Sequence, residues 1–497
     1  MSRTPGVLAI DQGTTGTTCL VIDRDGRITG RAYREFTQHF PRPGWVEHDA
    51  SEIWEVTRGL VREAVEQGTR EGTRVEAIGI TNQRETVVIW DRETLEPVHR
   101  ALVWQDRRTA GICRELREGG HEDRVRRVTG LLFDPYFSGT KLTWLMREVP
   151  GLRRRAESGE LAAGTVDSWL IARLTAGAVH ATDPTNASRT LLYDLHEGRW
   201  SPELQELMEV PGALLPEIRS SSGSFGVSVG REVGLEVPVA GVAGDQQAAL
   251  YGQGCWEAGL GKNTYGTGAF MLLHTGSEPV HSAHGLLTTA ACDARGGAAY
   301  ALEGSIFVAG AAIQWLRDGL GILERAEESA AMAASLQAND GVYLVPAFVG
   351  LGAPHWDPEA RGAVVGLTRG TGRAHLARAA LESMAYSTSD VVKAMEADSG
   401  VLLRELRVDG GAAANDWLMQ FQASILGVPV RRPQLVETTA LGAAGLAGLS
   451  AGVWTEPGDF LQAGGESRRF EPELGEATRD ALLAGWHRAV QAVRSLQ

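Results

Sequence analysis

Two stretches of the chain, one in each half, place a glycine–threonine turn between apolar segments. The first is DQGTTGTT at residues 11–18, between apolar runs at residues 7–10 and 19–22. The second is NTYGTG at residues 263–268, followed by AFMLL. Each pattern is typical of strand, tight turn, strand, because glycine permits the backbone of a short turn. The repeat predicts two similar α/β domains that face a shared cleft, with a boundary near residues 252–261.

The length supports the same division. The chain has 497 residues, which exceeds the size at which a single hydrophobic core keeps growing. We therefore predict an N-terminal domain over residues 1–252 and a C-terminal domain over residues 253–497. A further stretch, VDGGAAAN at residues 408–415, has the pattern of a strand, a glycine turn and a helix.

Composition excludes several classes of partner. The net charge is −14, and the basic residues are not gathered into runs, so a nucleic acid or an anionic membrane surface is disfavoured. The Gly- and Ala-rich run at residues 438–454 is short for a membrane span, and we expect a helix packed closely against another element rather than an integral membrane segment. The cysteines form no CxxC pair, which favours reduced thiols in a cytoplasmic protein.

The glycine–threonine turns can bind an anion. Their successive backbone N–H groups and hydroxyls suit phosphate oxygens, and Asp11 can hold Mg2+ through water, since hard divalent cations prefer oxygen ligands. The alternative is a plain β-turn in which Asp and Gly serve only the geometry. The P-loop pattern GxxxxGK[ST] is absent, because Lys262 has the wrong spacing, and the protein-kinase motifs are absent too. Nucleotide binding therefore requires a different architecture.

That architecture is recognisable from longer motifs. DQGTT at residues 11–15, AGDQQAAL at residues 243–250 and DGGAAAN at residues 409–415 resemble the sugar kinase/actin/Hsp70 ATPase superfamily. YFSGTKLTWL at residues 136–145 and GAVVGL at residues 362–367 are similar to the FGGY carbohydrate kinases. The resemblance implies an α/β fold of two actin-like ATPase (ribonuclease H-like) domains flanking a central cleft. It also implies ATP-dependent phosphorylation of a small hydroxylated acceptor.

The segments TNQRET and TDPTNASRT are similar to the family members that phosphorylate glycerol. The resemblance implies that glycerol is converted to sn-glycerol 3-phosphate, and it carries over the acceptor-binding residues Arg84, Glu85, Trp104, Tyr136, Asp245 and Phe270. These side chains suit a triol, because charged and phenolic groups can bond its hydroxyls while aromatic rings cover its C–H faces. A kinase for another polyol or ketose stays open, as does a non-catalytic, nucleotide-gated binding protein like actin.

Asp245 stands where an apolar strand gives way to a helix, a position that suits an ordinary N-cap. The resemblance implies a catalytic base there, with Asp11 and Asp245 near Mg2+. It further implies a homodimer or homotetramer, and it places the nucleotide against Thr14, Thr15, Gly16, Thr267, Gly310, Gln314, Gly411 and Asn415. Many family members carry Ser-Ser-Arg where this chain has Gly16-Thr17-Thr18. We therefore predict that this chain has one basic phosphate contact fewer.

Overall fold

The computed structural model describes residues 3–435, 437–463 and 467–495. The strands are β1 (Thr4–Gln12), β2 (Gly16–Asp23), β3 (Ile28–Glu35), β4 (Gln38–His39), β5 (Glu47–His48), β6 (Thr73–Asn82), β7 (Val87–Asp91), β8 (Ala101–Leu102), β9 (Leu161–Thr165), β10 (Ala181–Thr182), β11 (Tyr193–Asp194), β12 (Arg199–Trp200), β13 (Glu217–Ile218), β14 (Val239–Gly244), β15 (Leu260–Tyr265), β16 (Ala269–Gly276), β17 (Leu287–Cys292), β18 (Ala298–Ile306), β19 (Tyr343–Val345), β20 (Ala363–Val365), β21 (Glu405–Gly410), β22 (Val430–Arg432) and β23 (Arg468–Phe470).

The helices are α1 (Ala50–Arg70), α2 (Ala110–Glu118), α3 (Glu122–Thr129), α4 (Ser138–Glu148), α5 (Leu152–Glu157), α6 (Val166–Leu174), α7 (Pro184–Ala187), α8 (Pro202–Leu207), α9 (Gly230–Val233), α10 (Asp245–Gly252), α11 (Gly310–Gln314), α12 (Glu328–Ala334), α13 (Arg373–Ser399), α14 (Asp416–Leu426), α15 (Thr438–Ser450), α16 (Asp459–Ala463) and α17 (Glu476–Arg494). Single 3-10 turns lie at Gly212–Leu214 and Gly411–Ala414, and a π-helical turn at Trp315–Gly319 extends α11.

The two halves contain sheets of the same topology. In the first half the strand order is β3-β2-β1-β6-β14, with β1 antiparallel to β2 and parallel to β6. In the second half β18-β16-β15-β21-β22 repeats this order and these directions, with β17 and β23 added at the edges. Both glycine–threonine stretches are the turns of the central hairpins, β1–β2 and β15–β16. The predicted pair of similar α/β domains is confirmed.

The central strand β1 carries a continuous apolar run, because helices cover both faces of the sheet. In β1, Val7, Leu8, Ala9 and Ile10 are fully buried. Helix α1 packs against β2 and β3 on one face, and α15 packs against β1, β6 and β14 on the other. Helix α1 begins at Ala50 because the Asp49 side chain accepts from the first free backbone N–H groups.

Helix α15 belongs to the second half of the sequence but lies on the sheet of the first half. Glycines of α15 and of its neighbour β6 allow backbone contact. A Cβ at Gly442 of α15 would overlap the Ala248 carbonyl of α10, and a Cβ at Gly79 of β6 would overlap the Ala443 carbonyl of α15. The expectation of a closely packed helix is therefore confirmed. In the part of the chain that the structure describes, no helix is long and apolar enough to cross a membrane.

An inserted sheet in the first half carries part of the site. Its strand order is β4-β5-β8-β7-β9, and α2, α4 and α5 pack beside it over a separate apolar cluster that includes Phe133, Phe137 and Leu145. Trp104 follows β8 and Tyr136 precedes α4. The insertion therefore places two of the predicted acceptor residues beside the end of β6.

We expect Gly442→Ala to lower the melting temperature by a few degrees. The added Cβ has no room between α15 and α10, and overpacking of this kind costs about 1–3 kcal/mol, which opposes the helix-propensity gain of about 1 kcal/mol. Thermal unfolding measures the effect. Gly458→Ala is the control, since a Cβ there meets nothing within 4 Å; equal melting temperatures for the two variants would contradict the packing described for α15.

Candidate functional site

The sharp turn that follows β6 holds Arg84 and Glu85. Both side chains are buried, with 3% and 1% of their surface exposed. Glu85 has φ = 61°, in the left-handed region, which costs energy for a residue with a side chain. Strain of this kind persists where the surroundings enforce it, and it is concentrated at functional sites. The position of the Glu85 side chain is therefore maintained at the cost of an unfavourable backbone conformation.

The Arg84 guanidinium joins the two halves of the chain. Its Nη1 donates to Glu303 Oε2 at 2.6 Å and its Nη2 to Glu303 Oε1 at 3.2 Å, a bidentate pair with a residue of β18. Nη2 also lies 3.4 Å from the Tyr136 hydroxyl, and Nε lies 3.3 Å from Asp245 Oδ1. Burial alone lowers the pKa of Arg84, but the carboxylates of Glu303 and Glu85 raise it well above its ordinary value.

A second buried arginine completes this charge cluster. Arg189 donates from Nε to Glu85 Oε1 at 2.7 Å and from Nη2 to Glu303 Oε1 at 3.0 Å. Burial raises the pKa of the Glu303 carboxyl, but Arg189 and Arg84 outweigh burial and hold that pKa at about 2. Glu303 is therefore ionised at any physiological pH.

Asp245 is the first residue of α10, directly after β14. Gly244 is the N-cap, so the alternative of Asp245 as the capping residue is wrong, although its Oδ1 accepts from the Gln246 backbone N–H at 2.7 Å. A third of the side chain is exposed (33%). Burial of the rest raises the pKa of Asp245, and Arg84 opposes the rise. The carboxylate is therefore reachable from outside while one oxygen is held by the protein.

Lys262 of β15 lies close to Asp245. It is fully buried, and its Nζ donates to Thr264 Oγ1 at 2.8 Å and to Gln246 Oε1. Burial lowers the pKa of Lys262, and the charges of Asp409 and Asp245 oppose this. A lysine donates only, so its bond fixes Gln246 with the amide oxygen towards the lysine and the NH2 group away from it.

Trp104 and Tyr136 form one aromatic wall. Their rings meet edge to face at 5.6 Å between centroids. The indole Nε1 of Trp104 donates to Thr14 Oγ1 at 2.9 Å, so the wall also contacts the first glycine–threonine turn. The predicted acceptor residues and the predicted phosphate residues are thus in direct contact at this point.

The sheet register places Phe270, which is half-buried on β16. Phe270 is opposite Ser305 of β18, and Leu272 is opposite Glu303. Phe270 therefore lies on the same face of the sheet as Glu303, as its diagonal neighbour on the adjacent strand, at about 7–8 Å. On the other side, β15 contributes Lys262 and Thr264 to that face. None of the described hydrogen bonds or ring contacts joins Phe270 to the other predicted acceptor residues.

The first turn runs from Asp11, near the end of β1, to Gly16, the first residue of β2. Gly13 N donates to Gly16 O at 3.0 Å, and Thr15 is exposed at the tip. A Cβ on Gly16 would lie 2.8 Å from the Arg34 carbonyl and from the Tyr33 ring, so the passage of β3 already requires glycine there. Burial raises the pKa of Asp11 to about 7, and the negative charge of Asp245 adds to the rise.

A cavity of about 680 Å³ opens in the second half, within the size range of small-molecule sites. Gly266 and Thr267 of the β15–β16 turn form one wall, and their carbonyls accept from the backbone N–H groups of Gly310 and Ala311 at 3.0 and 3.1 Å. Five of the predicted nucleotide residues line it: Thr267, Gly310, Gln314, Gly411 and Asn415. Gly411 has open space where a side chain would be. The cavity also includes Arg317 and Trp417, which the sequence patterns did not indicate.

The structure brings Arg84, Glu85, Tyr136, Trp104 and Asp245 together, and it shows what sequence reasoning missed. Arg189 and Glu303 hold the arginine–glutamate turn, and Gln247 Oε1 accepts from Arg84 Nη1 at 3.2 Å. Two of the missed residues could have been noticed in the sequence. Glu303 is an acidic residue within a mostly apolar strand, and Lys262 is a lysine within a buried strand. Arg189 lies within TDPTNASRT, yet nothing in that segment indicates its partners.

Comparisons with known proteins agree with this geometry. Residues 6–252 match the N-terminal domain, and residues 261–451 the C-terminal domain, of the FGGY family of carbohydrate kinases. A glycerol kinase of Dechloromonas aromatica is 56% identical over 485 residues, 98% of this chain and 97% of that protein. The structure of Plasmodium falciparum glycerol kinase with ADP superposes with a TM-score of 0.95 at 34% identity, covering 99% of this chain and 98% of that one. A xylulose kinase from Rhodospirillum rubrum shares the fold at 23% identity, with a TM-score of 0.89 and 99% coverage of both chains.

We expect Glu303→Gln to destabilise the protein at neutral pH by about 3–5 kcal/mol, because the variant leaves two buried guanidinium groups short of a counter-charge. The folded pKa of about 2 lies below the ordinary 4.5, so the stabilisation is complete above pH 4.5 and is lost as the pH falls towards 2. The gap in melting temperature between parent and variant should therefore narrow from pH 6 to pH 3. Glu257→Gln, at an exposed pair with Arg404, is the control, and a gap that stays constant down to pH 3 would contradict the ion-pair account.

Proposed function

The chain belongs to the FGGY family of carbohydrate kinases, and we propose that it transfers the γ-phosphoryl group of ATP to a terminal hydroxyl of glycerol, giving sn-glycerol 3-phosphate. The observation that carries the proposal is the meeting of Arg84, Glu85, Tyr136 and Asp245 in one small charged cluster beside an aromatic wall. Such a cluster suits a short, fully hydroxylated acceptor.

Each acceptor residue has a role that its contacts allow. The Arg84 guanidinium donates to one hydroxyl of glycerol, and the Glu85 carboxylate accepts from a neighbouring hydroxyl. Within the described residues, the contacts of Glu85 involve Oε1, which leaves Oε2 for the substrate. The Trp104 and Phe270 rings cover the C–H faces and exclude water. A site that bonds every hydroxyl rejects analogues that lack one, because its own buried polar groups would stay unpaired.

Asp245 is the proposed base. It orients the terminal hydroxyl and takes its proton while a bond forms between that oxygen and the γ-phosphorus and the bond from the γ-phosphorus to the bridging oxygen breaks, releasing ADP. Phosphoryl transfer relies mostly on positioning and charge stabilisation. Asp245 is reachable from outside and anchored through Oδ1, which is the arrangement that a positioning base requires.

The nucleotide is proposed to occupy the 680 Å³ cavity, with its phosphates directed along the Thr267 turn towards Thr14 and Thr15. In this arrangement Gly310, Gln314, Gly411 and Asn415 surround the adenosine. Gly16 contributes close packing beneath the turn. Thr18 lies opposite Asp11 and next to Tyr33 in the sheet. The predicted loss of one basic phosphate contact at Thr18 stays a prediction.

Asp11 and Asp245 would hold Mg2+, because their carboxylates offer the hard oxygen donors that this ion prefers. When bound there, Mg2+ supplies positive charge next to the phosphates. Asp11 and Asp245 would be the residues that hold the ion, and Asp245 would also face the acceptor hydroxyl. The four cysteines are free and buried, which supports a reducing cytoplasmic setting for the reaction. Assembly as a homodimer or homotetramer stays a prediction.

We expect glycerol to be the best acceptor in a panel of polyols and pentuloses. The alternative, a kinase for another polyol or ketose, is favoured only by the shared fold, since the match to a xylulose kinase is 23% identical. A coupled ADP-release assay should give kcat/KM for glycerol about tenfold or more above any pentulose. Turnover of a pentulose with none of glycerol would overturn the substrate proposal, and no ADP release with any acceptor would overturn the kinase proposal itself.

We expect Asp245→Asn to lower kcat by about 100- to 10,000-fold, because an amide accepts no proton. ADP affinity, measured by calorimetry without Mg2+, should stay within about twofold, since Asp245 does not line the nucleotide cavity. Asp480→Asn on α17, a largely exposed residue, is the matched control. Near-normal turnover of the folded Asp245 variant would remove Asp245 from the mechanism.

A further inference from the structure

Arg189 is a buried charge for which the proposed chemistry has no direct use. It follows α7 and has none of its surface exposed. Burial of an unneeded arginine is costly, and a buried ion pair is weak evidence for stability alone. The side chain of Arg189 contacts Glu85 and Tyr136 of the proposed acceptor site, and Glu303 and Phe137 beside it.

Four side-chain contacts define what Arg189 does. Nε donates to Glu85 Oε1 at 2.7 Å, and Nη2 donates to Glu303 Oε1 at 3.0 Å. The guanidinium carbon lies 5.6 Å from the centre of the Tyr136 ring and 5.2 Å from that of Phe137. Nη1 has no hydrogen-bond partner among the described residues. The Arg189 guanidinium thus contacts Glu85 and Tyr136 directly, and it is linked to Arg84 through the Glu303 carboxylate that both arginines bind.

The backbone that carries Arg189 is fixed to the backbone that carries Arg84 and Glu85. Asn186 of α7 and Asn82, the last residue of β6, exchange two amide hydrogen bonds at 3.0 and 3.1 Å. Asn186 also holds the Arg189 N–H through its carbonyl at 3.0 Å. Asp183 in turn caps α7 and accepts from the Asn186 side chain at 2.9 Å. These hydrogen bonds fix the distance between the end of β6 and α7 independently of the charged side chains.

We propose that Arg189 is a positioning residue for the acceptor site, which orients Glu85 directly and Arg84 through Glu303 and thereby sets the affinity for the acceptor but not for the nucleotide. The inference rests on the proposed function, since it takes Arg84 and Glu85 to bind the acceptor. It also accounts for the strained backbone of Glu85, because the bond from Arg189 holds that carboxylate in place.

The role requires a guanidinium rather than any cation. Two carboxylates, Glu85 and Glu303, accept from two different nitrogens of the same planar group, Nε and Nη2, while the guanidinium carbon lies over two aromatic rings. A lysine has a single charged atom at a different reach and cannot bond both carboxylates in that geometry. The series of arginine, lysine and glutamine at position 189 therefore distinguishes a positioning role from a role in charge balance alone.

The experiment compares Arg189→Lys and Arg189→Gln with the parent chain in steady-state kinetics with glycerol and ATP. Arg189→Gln should raise KM for glycerol about tenfold or more and leave KM for ATP within about twofold, with Arg189→Lys intermediate. Arg173→Gln is the matched control. Arg173 is a partly buried arginine stacked on Trp54 and Trp169, away from the acceptor cluster, so its loss should leave both KM values unchanged.

The kinetic results either support or overturn the proposed role of Arg189. Unchanged KM for glycerol in a folded Arg189→Gln, or an equal rise in both KM values, overturns the proposal, because a purely structural role predicts no acceptor-specific effect. ADP binding by calorimetry reports folding of each variant; if the glutamine variant is unfolded, the lysine variant must show the acceptor-specific rise. Should the parent use an acceptor other than glycerol, the proposed function fails separately, and the same ratio is measured with that acceptor.

Discussion

The bidentate ion pair between Arg84 and Glu303 is the contact on which the rest of the structure depends. Arg84 follows a strand of the first sheet, and Glu303 lies within a strand of the second. Neither charge is tolerable in the interior alone, since a buried ion without its partner costs several kcal/mol. The two halves are therefore held together at this point, directly beside the Arg84 and Glu85 side chains of the first half.

The duplicated sheet explains how binding is divided between the halves. Each central hairpin ends in a glycine–threonine turn, but the surroundings differ. Beside the first turn, the inserted sheet brings Trp104 and Tyr136, whose rings form one wall of the proposed acceptor site. Beside the second, α11 and the 3-10 turn Gly411–Ala414 leave a cavity of about 680 Å³, the proposed nucleotide site. The same local motif thus borders both proposed sites.

Sequence patterns predicted the features that are local and missed those made by distant pairing. The turns at Asp11 and Thr267 could be found because glycine and threonine spacing is visible in a few residues. The predicted nucleotide residues came from motif resemblance; Thr267, Gly310, Gln314, Gly411 and Asn415 line one cavity, whereas Thr14, Thr15 and Gly16 lie outside it. Glu303 was missed because its partners are distant in sequence, Arg84 by 219 positions and Arg189 by 114, which no local pattern encodes. In the sequence, Lys262 could be compared only with the spacing of the P-loop motif. Its hydrogen-bond partners, Gln246 and Thr264, are identified by the fold.

Helix α15 has a consequence for how the chain can be divided. The apolar side chains of Val7, Ala9, Leu20 and Ile22 form one cluster with residues of α15, although more than 400 positions separate them. A gene split at the sequence boundary near residue 252 would yield an N-terminal fragment with one face of its central sheet bare. Such a fragment would aggregate unless the C-terminal fragment were co-expressed with it. The two halves are repeats in topology, but they are not independent units of folding.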